Sequence, residues 1–310
     1  MEQKIDCIVV TDPGVDDATA IMYALFCKEI NIKLFCIAGG NGPIINATNN
    51  CLFLMDLFKQ NIPVAVGPDH PLKRPPTYAL NAQGKGGLGG YKVNTKKIKS
   101  KIIETPACDA MFEMLKESKK KLPIVAIGPM TPIAEMLEKY PDSKKYVKEI
   151  IFMGGTKEKI YGKPYREFNI AFDPESVEIV LKSKIPLVMV PMELGHFAYL
   201  DKNDIKIFKK TNKIGKIFAK MFKKYKDFHV GHLGAAVHDV CTIYYLTNPQ
   251  NMKWENGYVE MKYYKNGNEE YGYLDTSYDK KPNAKICVDI DITDFKTDIF
   301  NALKMTSEVL

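Results

Sequence analysis

The sequence predicts an α/β fold: an open, mostly parallel sheet flanked by helices, in a single domain covering residues 1–310. Three observations carry that prediction. Short runs of apolar residues recur without polar alternation, the pattern of strands buried on both faces. Amphipathic stretches of helical period separate them, which is how parallel strands are connected. A turn crowded with carboxylates follows the first run, at the place where ligands collect in such sheets.

The elements read in order as follows. "KIDCIVV" is a strand, followed by a helix from about Asp16 to Lys28. "IKLFCIAG" leads into the helical "NATNNCLFLMDLFK", and "IPVAVG" makes a third strand. Residues 67–101 are rich in Pro and Gly and show little periodicity, so they read as a long, mobile active-site loop. "ACDAMFEMLKES" precedes the strand "PIVAIG"; "PIAEMLEKY" precedes "KEIIFMGG"; "PESVEIVLKS" precedes "IPLVMVPM". Two further helices are expected near 212–224 and 235–246. Beyond Trp254 the pattern turns to strands in "GYVEMKYY", "EEYGYLD" and "AKICVDI", with a closing helix near 293–306.

Composition removes several classes of function. A hydrophobic share of 45% with 26% charged residues is that of a soluble globular chain. No apolar run approaches the roughly 18 residues of a membrane span, and the amino terminus lacks the apolar region of a signal peptide. The net charge is +7, yet the densest basic cluster, "KVNTKKIKSK", has no interleaved aromatics, so nucleic acid is not an expected partner. The 7 cysteines form no CxxC pair and sit mostly in apolar runs. They read as buried free thiols in a reducing, cytoplasmic compartment.

The stretch "VVTDPGVDDATAI" places Asp12, Asp16 and Asp17 around a Pro13-Gly14 turn. Helix capping accounts for Asp16 and Asp17 but leaves Asp12 unexplained. A hard cation, which takes six to eight oxygen ligands when it is calcium, accounts for all three. The stretch alone leaves both readings open. A second candidate is His238-Asp239 at the start of an apolar helix, where capping and a metal shell are again both compatible.

"TDPGVDDATAI" resembles the DxDPGxDD signature of the inosine–uridine preferring nucleoside hydrolase family. The likeness continues through "AGGN" (38–41), "GKGGLGG" (84–90), "IGPMTPIAEML" (127–137), "IFMGG" (151–155), "EFNIAFDPES" (167–176), "VHDVC" (237–241) and "ICVDIDITDF" (286–295). The resemblance implies a Rossmann-like nucleoside hydrolase fold and calcium-dependent hydrolysis of ribonucleosides to ribose and free base, serving nucleoside salvage. It implies that Asp12, Asp17, Asp239 and the carbonyl of Ile127 hold the cation, with Asp12 also the general base. Asp16 and Asn41 would meet the ribose hydroxyls, Glu167 and Asn169 the far side of the sugar, and Met153 would pack against it. His238 would protonate the leaving base. Gln83 is expected to contact the substrate, and Tyr225, Phe228, His229 and His232 to lie near the base-binding region. Family members are usually homodimers or homotetramers.

Three positions depart from the family pattern. Val10 replaces the first Asp of DxD, Gln83 replaces a loop histidine, and Tyr161 replaces an asparagine near the ribose 5′ side. They motivate an alternative: a degenerate member that binds ribosides or a protein partner with little turnover. A phosphatase with an Asp nucleophile is disfavoured, because Val10 is no carboxylate and no DxT/V pattern follows.

Overall fold

The computed structural model describes residues 4–160, 162–225, 233–267 and 269–309. Its strands are β1 (Ile5–Thr11), β2 (Ile30–Ile37), β3 (Val64–Val66), β4 (Leu122–Ala126), β5 (Val147–Met153), β6 (Leu187–Val190), β7 (Tyr199–Asp201), β8 (Gly234–Ala236), β9 (Met252–Asn266), β10 (Glu269–Ser277) and β11 (Ala284–Ile290). Its α-helices are α1 (Val15–Phe26), α2 (Ile44–Phe58), α3 (Leu80–Gln83), α4 (Ala107–Glu117), α5 (Thr131–Lys139), α6 (Phe168–Phe172), α7 (Pro174–Lys182), α8 (Lys202–Thr211), α9 (Lys213–Phe222), α10 (His238–Tyr244) and α11 (Ile292–Met305).

One nine-stranded sheet runs in the order β10-β9-β11-β6-β5-β4-β1-β2-β3, with β7 and β8 paired apart from it. Pairing is parallel from β11 to β3, and β9 runs against both of its neighbours. The unalternated strands follow from a core on each face. Cys7 and Val9 point into a core with Ile21, Phe58, Phe218, Tyr244 and Phe295. Ile8 and Val10 point the other way, against Met111, Ile133, Met136 and Val180. Each such side chain contributes about 1.5–3 kcal/mol through burial. Val10 is wholly enclosed in the second core, so a carboxylate there would face apolar neighbours.

The strand order positions the site. From β1 the chain winds outward to β2 and β3, then returns to the other side of β1 as β4. Such a reversal opens a crevice at the carboxyl ends of the two central strands. β1 ends at Thr11, one residue before Asp12, and β4 ends at Ala126, one residue before Ile127.

The expected helices near 16–28, 212–224 and 293–306 are α1, α9 and α11. The helix expected over 235–246 needs correction. Gly234–Ala236 is a strand that pairs antiparallel with β7, and the helix begins only at His238. α8 was not anticipated, because half of "KNDIKIFKKT" is charged; a capping box between Asp201 and Asp204 starts it. Residues 67–101 hold only α3 and a single 3-10 turn, Thr95–Lys97. All cysteines are free, and all but Cys27 are buried. Among the described residues no helix is long and apolar enough to cross a membrane.

Candidate active site

The acidic turn is built by local hydrogen bonds. α1 begins at Val15 after the N-cap Gly14, so Asp16 and Asp17 occupy its first turn. Asp17 is the most tightly held carboxylate. Its Oδ1 accepts from Thr11 Oγ1 at 2.6 Å and Asp12 N at 3.3 Å, and its Oδ2 from Gly14 N at 2.8 Å and Asn41 Nδ2 at 2.9 Å. Asp12 Oδ2 accepts from Asn41 N at 2.6 Å. Asp12 Oδ1 is buried and has no hydrogen-bond partner among the described residues. The Asp12 carboxylate lies between two glycines for a steric reason. A Cβ at Gly40 would stand 2.1 Å from Oδ2, and one at Gly128 would stand 2.5 Å from Oδ1.

α10 delivers the fourth carboxylate. Oxygens of Asp16, Asp17 and Asp239 lie within 4.8 Å of one another, and all three residues are buried. Like charges this close resist ionisation. Burial and then Asp16 push the Asp17 carboxyl up to about 7. Burial, followed by Asp17, raises Asp12 well above its ordinary value. Asp239 is raised in the same way by burial and then by Asp16, Asp17 and Asp12. A divalent cation resolves this strain, and the donor set suits a hard one: carboxylate oxygens, an unpartnered buried oxygen on Asp12, and Ile127 at the cavity floor.

Above the cluster lies a cavity of about 500 Å³. Its lining includes Asp16, Asn41, Gln83, Ile127, Met153, Glu167, Asn169, Tyr225, His238 and Asp239. Asp12 and Asp17 sit behind this lining. Several expected residues have structural duties here. Glu167 caps α6, accepting from Gly155 N, Asn169 N and Ile170 N at 3.0–3.1 Å. Burial raises its pKa, and those three bonds oppose the rise, helped by His238. Asn169 Nδ2 donates to the carbonyl of Met153 at 3.3 Å. Asn41 spends its amide on the acidic turn, donating to Asp12 O and Asp17 Oδ2. His238 packs its ring against Gly195, where a Cβ would come within 2.0 Å of Nδ1. Tyr161, Phe228, His229 and His232 lie outside the described residues.

Sequence reasoning passed over the aromatic wall formed by Tyr78, Tyr165, Phe168 and Phe172. The i, i+4 spacing of Phe168 and Phe172 in "EFNIAF" was the available signal. It also passed over Thr11, whose hydroxyl is indistinguishable in sequence from ordinary strand packing.

The family model described as "Inosine-uridine preferring nucleoside hydrolase" matches residues 7–297. The non-specific ribonucleoside hydrolase RihC of Escherichia coli O139:H28 is 30% identical over 308 residues, covering 98% of this chain and 100% of the relative. Its counterpart in Shigella sonnei is 31% identical with the same coverage. Among solved structures, the purine-preferring ribonucleoside hydrolase from Gardnerella vaginalis superimposes with a TM-score of 0.86 at 23% identity, covering 98% of this chain and all (100%) of that one. The plant nucleoside hydrolase PpNRh1 superimposes with a TM-score of 0.83 at 24% identity, over 97% and 99% of the two chains. The match spans the acidic turn, the sheet around it and the His238-Asp239 helix together, and on that ground the chain belongs to the inosine-uridine preferring nucleoside hydrolase family.

Proposed function

We propose that this protein hydrolyses the N-glycosidic bond of purine or pyrimidine ribonucleosides to ribose and free base, in a calcium-dependent reaction suited to nucleoside salvage. One observation carries the reading: Asp16, Asp17 and Asp239 converge within 4.8 Å, with the unpartnered Asp12 Oδ1 behind them, under a cavity of nucleoside size.

In this reading Asp12, Asp17, Asp239 and the Ile127 carbonyl hold the cation, with Asp16 beside them. A bound divalent cation supplies a positive charge that acidifies water and attracts the ribose hydroxyls. Asp12 takes a proton from the attacking water. The oxygen of that water bonds to the anomeric carbon, and the electron pair of the C–N bond leaves with the base. Positive charge grows on the sugar as the bond stretches. The surrounding carboxylates favour that charge more than the neutral nucleoside, which lowers the barrier. His238 gives the departing base its proton. Asp16 orients the ribose hydroxyls, and Asn169 and Met153 close over the other face of the sugar. Tyr225 stands on the base side of the substrate.

The test is ribose release from inosine, adenosine, guanosine, uridine and cytidine, after chelation and again with calcium restored, alongside metal analysis of the purified protein. Release that is lost on chelation and recovered with calcium is the expected result. Calcium binding and nucleoside binding without any released ribose would overturn hydrolysis in favour of a non-catalytic riboside binder.

A further inference from the structure

α1 begins without a side-chain cap, because its N-cap is Gly14 and glycine brings no oxygen to the unpaired N–H groups of a first turn. The cap comes from a distant loop. Gln83 Oε1 accepts from Val15 N at 2.9 Å, and Gln83 Nε2 donates to Asp16 Oδ1 at 3.1 Å. The Gln83 side chain is only 4% exposed. A Cβ on Gly14 would stand 2.7 Å from the Gln83 amide carbon, so the turn is shaped around this amide.

We propose that Gln83 is a positioning residue that sets the Asp16 carboxylate for the sugar, and not a contact to the nucleobase. The proposal rests on the ribonucleoside hydrolase reading above. A carboxamide has one accepting and one donating end. Val15 N–H fixes the accepting end, so the NH2 must face Asp16; the flipped amide would set donor against donor and oxygen against carboxylate. Asp16 is thereby held in one orientation beside Asp17 and Asp239, whose like charges repel it. Gln83 ends α3, and the loop that follows is tied to the same turn a second time. Asn50 Nδ2 donates to both Pro13 O and Gly86 O at 2.9 Å. The cavity wall at Asn81–Gln83 and the acidic turn therefore form one hydrogen-bonded unit. Its influence passes through the sugar end of the substrate, so it is the same for every base.

The experiment compares calcium-loaded full-length wild type with Gln83→Leu, Gln83→Glu and Gln83→His. It measures kcat/KM on inosine and uridine, calorimetric affinity for ribose and for hypoxanthine, and melting temperature. Removing the orienting partner of a site ligand typically lowers activity about 10- to 100-fold. We expect Gln83→Leu to lose that much on both nucleosides equally, to bind ribose more weakly and to bind hypoxanthine as before. Gln83→Glu, which turns an oxygen toward Asp16, falls at least as far. Gln83→His retains one accepting and one donating nitrogen and recovers most of the loss. Gln83→Leu also melts somewhat lower, because Val15 N loses its acceptor, so all variants are assayed well below their unfolding transitions. Unchanged kinetics and ribose affinity in every variant would overturn the proposal. So would a loss confined to one nucleoside or to hypoxanthine affinity, or a loss that Gln83→His fails to recover. A wild type that binds ribose without hydrolysing nucleosides would overturn the hydrolase reading alone, and the ribose and hypoxanthine affinities would still decide the role of Gln83.

Discussion

Removing the divalent cation and raising the pH from 5 to 8 has a consequence for stability that the carboxylate cluster makes calculable. Asp17 is fully buried, and its carboxyl is raised from an ordinary 3.8 to about 7. A difference of about three pH units between the folded and unfolded chains corresponds to about 4 kcal/mol. The sign follows from where the proton resides. Between pH 4 and 7 the folded protein retains a proton that the unfolded chain has released, so stability is full below 4 and declines as pH rises, with the whole loss reached above 7. Asp12 and Asp239 are raised in the same direction and add to it. Carboxylates held below their ordinary value, such as Asp56 and Asp109, act near pH 4 and below, outside this window.

The assay is thermal unfolding of chelated protein at pH 5 and pH 8. Of that loss the part between pH 5 and pH 8 is about 2.7 kcal/mol, two pH units' worth. At an unfolding entropy of about 2.1 cal/mol/K per residue it lowers the melting temperature of this chain by about 4 °C. Calcium at about a hundred times its dissociation constant adds about 2.7 kcal/mol at pH 8. It adds far less at pH 5, because protonated carboxylates are poor ligands. Asp17→Asn flattens the pH dependence of the chelated protein. Equal stability of that protein at pH 5 and 8, or the same gain from calcium at both, would refute the reasoning.

Three further outcomes are expected. Asp12→Asn lowers ribose release by about 10²- to 10⁴-fold, the usual contribution of a general base, while the chelated variant melts higher than wild type at pH 8 because a carboxyl whose ionisation burial opposes is gone. Gly40→Ala, whose Cβ would stand 2.1 Å from Asp12 Oδ2, abolishes most turnover; Gly42→Ala, whose Cβ would have its nearest neighbours at 3.8–3.9 Å, leaves turnover unchanged. Thr11→Val removes the 2.6 Å donor to Asp17 and destabilises chelated protein at pH 8 by about 1.5–3 kcal/mol, the value of a hydrogen bond to a charged group; the cost read by urea titration is smaller at pH 5.

The parallel sheet was legible because burial on both faces leaves an unbroken apolar run, as in Cys7–Val10. The acidic turn was legible because charge next to such a run conflicts with burial, and conflicts of that kind mark sites. Features without a local signature were missed. α8 hides its apolar face at Ile205 and Phe208 among lysines, and β7 and β8 are three residues each. Gln83 was read as a direct substrate contact, since nothing in "LNAQGKGG" records a partner at Val15, far away in the chain. The cap made by Glu167 and the close approach of Gly40 and Gly128 to Asp12 are likewise properties of the assembled crevice.

That crevice also separates two carboxylates that the sequence presents as equivalents. Asp17 accepts four hydrogen bonds, from Thr11, Asp12 N, Gly14 N and Asn41. Asp12 accepts one from Asn41 N on Oδ2 and none on Oδ1. Donors to a carboxylate favour its charged form and weaken its hold on a proton. Asp17 is therefore the readier of the two to give up its proton, the behaviour of a ligand. Asp12, equally buried but with one oxygen unsatisfied, binds a proton more readily, the behaviour of a base. Exchanging the two demands, by giving Asp12 a second donor or removing Thr11 from Asp17, would blunt both. The proposed division of labour thus follows from how the backbone of the turn distributes its N–H groups, and an Asp to Asn change at each position should fail differently: at Asp17 through weakened calcium binding, at Asp12 through turnover with calcium still bound.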